Sequence, residues 1–142
     1  MNPEIDIERI LDADVKDVWL AITDRDLMAQ WYFNLKEFKA QVGFTFEFLG
    51  GPEDGIKYNH LCEITEVIHE EKLSYSWRYE GYDGNTIVTF ILIPEGNGKT
   101  RLHFSHSGLS SFPASNPDFA LGNFKEGWNY FINIALPEFL SK

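Results

Sequence analysis

Apolar residues along the 142-residue chain change their period twice, and each change marks a new kind of element. Ile5 and Ile7 alternate with Asp6 and Glu8, which predicts a strand over 5–11. Asp12 or Asp14 can cap a helix whose Val15, Val18, Trp19 and Ile22 fall on one face. Asp24 restarts helicity after Thr23, giving a second short helix with Leu27, Met28 and Trp31 on one side and Tyr32-Phe33 extending its aromatic cluster.

From Phe38 onward the period is two. Phe44, Phe46 and Phe48 share a face, and strands are predicted over 60–67, then through Leu73, Tyr75, Trp77 and Tyr79, then over 86–93, then through Thr100, Leu102, Phe104 and His106. Turn signals separate them: the loop 50–55, His69 to Lys72, a hairpin signal at Gly81 to Asn85 with Asp83-Gly84 inside it, and Pro94 to Gly98. Such short connections require antiparallel neighbours. A loop over 108–117 ends in Asn116-Pro117, a cap residue followed by a proline suited to a first helical position. Leu121, Phe124, Trp128, Phe131, Ala135 and Phe139 then recur at steps of three and four, a long helical stripe. Gly122 and Gly127 interrupt its propensity and leave room for a close backbone approach or a ligand, and Pro137 predicts a kink or end in the last turn.

The order of these elements carries the fold. A long helix that arrives after the sheet is complete buries its stripe by lying across that sheet. The expected architecture is one α+β domain over 1–142: a curved antiparallel sheet wrapped around a long C-terminal helix, with two short helices after the first strand.

Composition narrows the function. Hydrophobic residues make up 44% and charged residues 24%, ordinary for a globular chain able to bury a single sizeable core. Aromatic residues are abundant at 15%, so their positions are the best guide to what faces inward. A formal net charge of −10 and no cluster of Lys and Arg argue against nucleic acid and against anionic membranes. The amino terminus lacks the basic and apolar regions of a signal peptide, no apolar run is long enough to span a bilayer, and the single cysteine, Cys62, excludes an internal disulfide. A soluble protein in the cytoplasm is expected.

The inward aromatic set comprises Trp31, Phe46, Phe48, Trp77, Tyr79, Phe90, Phe104, Trp128 and Phe131, and it either lines a pocket or fills the core. A curved sheet and one helix touch best at their ends and diverge between them, which favours a cavity. His106 is the polar residue of inward parity at its strand's end, suited to hydrogen-bond a ligand or to act as an acid or base. The hydroxyls of Tyr75 and Tyr79 either enter the pocket or reach solvent. His60 and Cys62 share a strand face, but no third ligand converges on them, and His103 and His106 fall on opposite faces, so no metal is expected. No nucleophile elbow, phosphate loop or zinc-protease helix occurs, and no catalytic residue or cofactor is assigned.

Ordered features along residues 5–140 resemble a known family. They are Arg9 before Leu11-Asp12-Ala13, Val18-Trp19 with Thr23-Asp24, Trp31, Gly43-Phe44, Val88-Thr89-Phe90 with Pro94, Gly98-Lys99-Thr100 with Leu102, Ser105-His106-Ser107-Gly108-Leu109, and Gly127-Trp128. Together they resemble the homologues of the activator of the ninety-kilodalton heat-shock-protein ATPase, in the START-like (SRPBCC) superfamily. The resemblance implies the helix-grip fold, with a hydrophobic cavity between sheet and C-terminal helix that binds lipid, steroid or polyketide in related proteins. The chaperone activator carries a large additional N-terminal domain, whereas this chain starts only a few residues before its first strand, so chaperone activation is not expected.

The expected role is binding a hydrophobic or aromatic small molecule, lipid-like or polyketide-like, between sheet and terminal helix. Two alternatives stand beside it. One is a protein-interaction or co-chaperone module that contacts a chaperone or another protein. The other is an enzyme of the cyclase or aromatase kind, with His106 and a tyrosine as acid and base. The glycine-rich loop 50–55 and the loop 108–117 are candidate lids.

Overall fold

Alternation of apolar and polar residues builds six strands, and helical spacing builds the elements that cover them. The computed structural model describes residues 3–51 and 54–142; Pro52 and Glu53, inside the expected lid 50–55, lie outside the described residues. The strands are β1 (Ile5–Leu11), β2 (Thr45–Gly50), β3 (Tyr58–Ile68), β4 (Lys72–Tyr79), β5 (Thr86–Gly96) and β6 (Lys99–Ser107). They form one antiparallel sheet in the order β1-β6-β5-β4-β3-β2, curved and unclosed. Two short helices, α1 (Val15–Thr23) and α2 (Arg25–Trp31), follow β1 as expected. The Asp24 carboxylate caps α2 by accepting from the amides of Asp26 and Leu27, whereas the side chain of Asp14, at the N-cap of α1, makes no capping bond.

Period two decides the inner face. Leu102, Phe104 and His106 of β6, Val88, Phe90 and Leu92 of β5, and Leu73, Tyr75, Trp77 and Tyr79 of β4 are all buried. The opposite face holds exposed polar contacts such as the Arg101–Glu8 ion pair and the His103–Asp6 hydrogen bond, so the sheet is wet on one side only.

Two connections differ from expectation. β4 and β5 last pair at Trp77 and Thr86, while Arg78 and Tyr79 continue β4 against β3 alone, so the connection is a wider loop over residues 80–85 rather than a tight hairpin, held at Asn85 by the hydroxyl of Ser111. Asn116-Pro117 does start a turn, with the Asn116 side chain accepting from the amide of Asp118, but it is a 3₁₀ turn over Pro117–Phe119. The long helix begins only after Ala120, whose extended backbone breaks the continuity.

The C-terminal helix runs as α3 (Leu121–Tyr130), a π-helical stretch over Phe131–Ala135, and α4 (Leu136–Leu140). In the π stretch the amide of Leu136 bonds the carbonyl of Phe131, a span of five residues. This wider turn precedes Pro137, which has no amide to donate, and it absorbs the disturbance that sequence predicts as a kink. It also shifts the helix phase. The fully buried positions are Trp128, Ile132 and Leu136, while Phe124, Phe131, Ala135 and Phe139 flank them half-buried.

α1 and α2 pack against α4, and α1 also meets β5 and β6, closing that end of the concave face. Toward β2, β3 and the far end of β4 the cover is thinner. There α3 and the 3₁₀ turn stand alone, and the space beneath them is not filled.

Candidate functional site

That unfilled space is a cavity of about 590 Å³. Its wall is Tyr58 and His60 of β3, Trp77 and Tyr79 of β4, Gly50 at the end of β2 with Gly51 after it, and Phe33 after α2, roofed by Asp118, Phe119, Asn123, Phe124, Gly127, Trp128 and Phe131. Local structure explains the vacancy. A Cβ added to Gly127 would meet nothing within 4 Å, so the helix presents no bulk there.

Aromatic contacts hold the wall rigid. Tyr79 stacks on Phe119 at 4.9 Å between centroids, and Trp77 lies 5.4 Å from Trp128. The His60 ring is stacked on Phe48 at 4.4 Å and meets Tyr79 edge-on at 4.7 Å. Gly50 sits directly over it, since a Cβ at that position would stand 2.9 Å from His60 Cε1. Burial lowers the basicity of His60 to about 4, which leaves it neutral near pH 7.

Polar atoms at the mouth form a short chain. The Tyr58 hydroxyl donates to Asp118 Oδ2 over 2.6 Å, and Asn116 Nδ2 donates to the Tyr58 oxygen over 3.3 Å. The bond to Asp118 is the main reason the Tyr58 hydroxyl holds its proton above the usual tyrosine range. Deeper in, Trp77 Nε1 donates to the Tyr79 hydroxyl over 3.0 Å, and burial pushes Tyr79 up to about 12. These groups can orient a ligand by hydrogen bonds. No group of three or more His, Cys, Asp or Glu residues suited to a metal occurs among the described residues.

Of the residues the sequence nominates, Trp77, Tyr79, Trp128 and Phe131 line the cavity. His106 lies behind the wall, fully buried, with both ring nitrogens engaged. Trp128 Nε1 donates to its Nδ1 over 2.9 Å, and Nε2 lies 2.7 Å from Thr86 Oγ1. Because Nδ1 accepts, Nε2 carries the proton and donates to Thr86, which in turn donates to the carbonyl of Trp77 over 2.7 Å. Burial holds His106 at about 3, and this neutral, doubly bonded ring serves as a clamp between helix and sheet.

Phe90 and Phe104 pack on each other in the core, with Phe104 4.4 Å from Trp128. Phe46 packs on Phe38 and Tyr75, and Phe48 supports the wall from behind His60 and Phe33. Trp31 donates to the carbonyl of Ala21 over 2.8 Å and lines a separate groove of about 260 Å³ between α2 and α4. The Tyr75 hydroxyl, another candidate for the pocket, meets that of Tyr32 at 2.6 Å instead.

Sequence reasoning missed Tyr58, Asp118 and Phe119, which sit at a strand end and in a short turn where no periodicity marks an inward face. It noted Gly127 as room for a ligand and His60 only as a metal candidate. Both line the cavity.

Several solved structures share this architecture. MLL2253 from Mesorhizobium loti is 29% identical, with 96% of each chain covered and a TM-score of 0.75. CV1439 from Chromobacterium violaceum is 25% identical over 97% of this chain and 96% of its own, with a TM-score of 0.77. CalU16 from Micromonospora echinospora is 25% identical over 96% of this chain and 74% of its own, with a TM-score of 0.70. No protein with a curated description matches the chain. A family match covers residues 12–140, and the chain belongs to the family described as Activator of Hsp90 ATPase homolog 1-like protein.

Proposed function

We propose that the protein binds a hydrophobic or aromatic small molecule in the cavity between its sheet and C-terminal helix. The observation that carries this reading is the aromatic wall around about 590 Å³ of unfilled space, a volume typical of small-molecule sites. A protein gains stability by filling such space with side chains, so a gap left open beside Gly127 is best accounted for by an occupant. The polar groups present, the Tyr58–Asp118 pair and His60, suit orientation of a ligand. An enzyme of the cyclase kind is a weaker reading, because His106 is sequestered as a clamp and Tyr79 already accepts a bond from Trp77. A single buried cysteine fits a reducing, cytoplasmic setting.

The test is titration with N-phenyl-1-naphthylamine, a neutral apolar fluorophore, against wild type and Gly127→Leu. Wild type enhances the probe's emission and its own tryptophan emission changes, because Trp77 and Trp128 line the site. Gly127→Leu fills the space and abolishes both signals, while circular dichroism shows an intact fold. No enhancement with wild type, or equal enhancement with a folded Gly127→Leu, overturns the reading and favours a protein partner instead.

A further inference from the structure

The electrostatics of the cavity select among small molecules, and this step rests on the binding function proposed above. Among the described residues lining the cavity, Asp118 carries the one formal charge, and no Lys or Arg joins it. One of its carboxylate oxygens takes the Tyr58 hydroxyl at 2.6 Å, whereas among the described residues no donor meets Oδ1. Asp118 is exposed at the cavity mouth, next in sequence to a ring that belongs to the aromatic wall. Phe119 lies 5.1 Å from Tyr58, 4.9 Å from Tyr79 and 5.2 Å from Tyr82, and the tyrosine hydroxyl of Tyr58 is anchored by the same carboxylate. Aromatic faces carry negative quadrupole charge, so an aromatic wall bordered by a carboxylate is attractive to cations and repels anions. His60, held neutral by burial, adds no compensating positive charge at neutral pH. The net charge of −10 extends the same preference to approach from solution.

We infer that the cavity takes a flat apolar ring bearing a cationic amine, with the ring against the aromatic wall and the ammonium at Asp118 Oδ1. Anionic amphiphiles such as fatty acids are then poor ligands, since their carboxylate would meet that of Asp118, while the nearby Lys57 ammonium is engaged at the rim by the Gly51 carbonyl at 3.1 Å.

Three naphthalenes of matched shape test this by competition with N-phenyl-1-naphthylamine at pH 7: 2-(aminomethyl)naphthalene as the cation, 2-naphthalenemethanol as the neutral form, and 2-naphthoate as the anion. The cation is expected to bind about tenfold tighter than the alcohol and the anion about tenfold weaker. Asp118→Asn should draw the three affinities together. Equal affinities in wild type, a preference for the carboxylate, or a cation preference that persists in Asp118→Asn overturns the inference. If the reporter itself binds while the cation preference is absent, only this inference falls; if neither the reporter nor any naphthalene binds, the binding reading falls with it.

Discussion

Trp128 Nε1 donates to His106 Nδ1 over 2.9 Å, and this one bond joins the C-terminal helix to the β6 strand through two fully engaged aromatic side chains. The bond also sets the direction of every proton behind it. With Nδ1 accepting, Nε2–H points to Thr86 and the Thr86 hydroxyl points to the Trp77 carbonyl, so the chain runs from helix across β6 and β5 to β4.

Removing the donor should be costly. Trp128→Phe leaves His106 Nδ1 buried without a partner and leaves a void where the larger indole lay, a loss of about 2–4 kcal/mol in denaturant unfolding. His106→Phe in the same background removes the orphaned acceptor, so a double-mutant cycle should show coupling above about 0.5 kcal/mol. Strict additivity would mean that the bond contributes nothing.

Acid should destabilise the fold through two histidines. His106 and His60 are held at about 3 and about 4 against an unfolded value of 6.5, so below pH 6.5 the unfolded chain binds protons that the folded chain refuses. Stability is therefore fully present above pH 6.5 and falls as pH drops toward these folded values. Each site contributes a loss of about 2 kcal/mol at pH 5. Thermal melts of His60→Gln from pH 7 to pH 5 should show a shallower fall than wild type, and an identical slope would remove His60 from the account.

Gly50→Ala should perturb the cavity through its wall. Its Cβ would stand 2.9 Å from Cε1 of a His60 ring that Phe48 and Tyr79 already hold in place. Accommodation requires the ring to move toward the cavity, at about 1–3 kcal/mol in stability, with a measurable drop in probe affinity.

Tyr75→Phe should act on the interior without touching the cavity. It removes the 2.6 Å bond to the Tyr32 hydroxyl in a site where burial raises Tyr75 beyond its usual range. The expected loss is about 1 kcal/mol by urea unfolding, with unchanged probe binding.

Much of the fold is legible in the order of residues because strand and helix periods are local. Leu73, Tyr75, Trp77 and Tyr79 alternate, and all four face the core. The terminal stripe from Phe124 to Phe139 is less faithful. Its spacing assumes an uninterrupted α-helix, while the π turn before Pro137 carries Ile132 and Leu136 to the fully buried line. Phe90 and Phe104 share the inward parity of Trp77, and parity alone does not separate a residue that fills the core from one that borders a void.

The sequence by itself determined the element order, the antiparallel sheet, the face each strand buries and the lying-down of the last helix, since these follow from spacing along one chain. Only the tertiary structure decided which end of the concave face stays open, that His106 is a clamp while His60 borders the cavity, and that Tyr58 meets Asp118. The physical reason is that each depends on contacts between residues far apart in sequence, 60 positions for Tyr58 and Asp118 and 22 for His106 and Trp128, whose meeting is set by curvature, helix phase and the small residues that leave space between them.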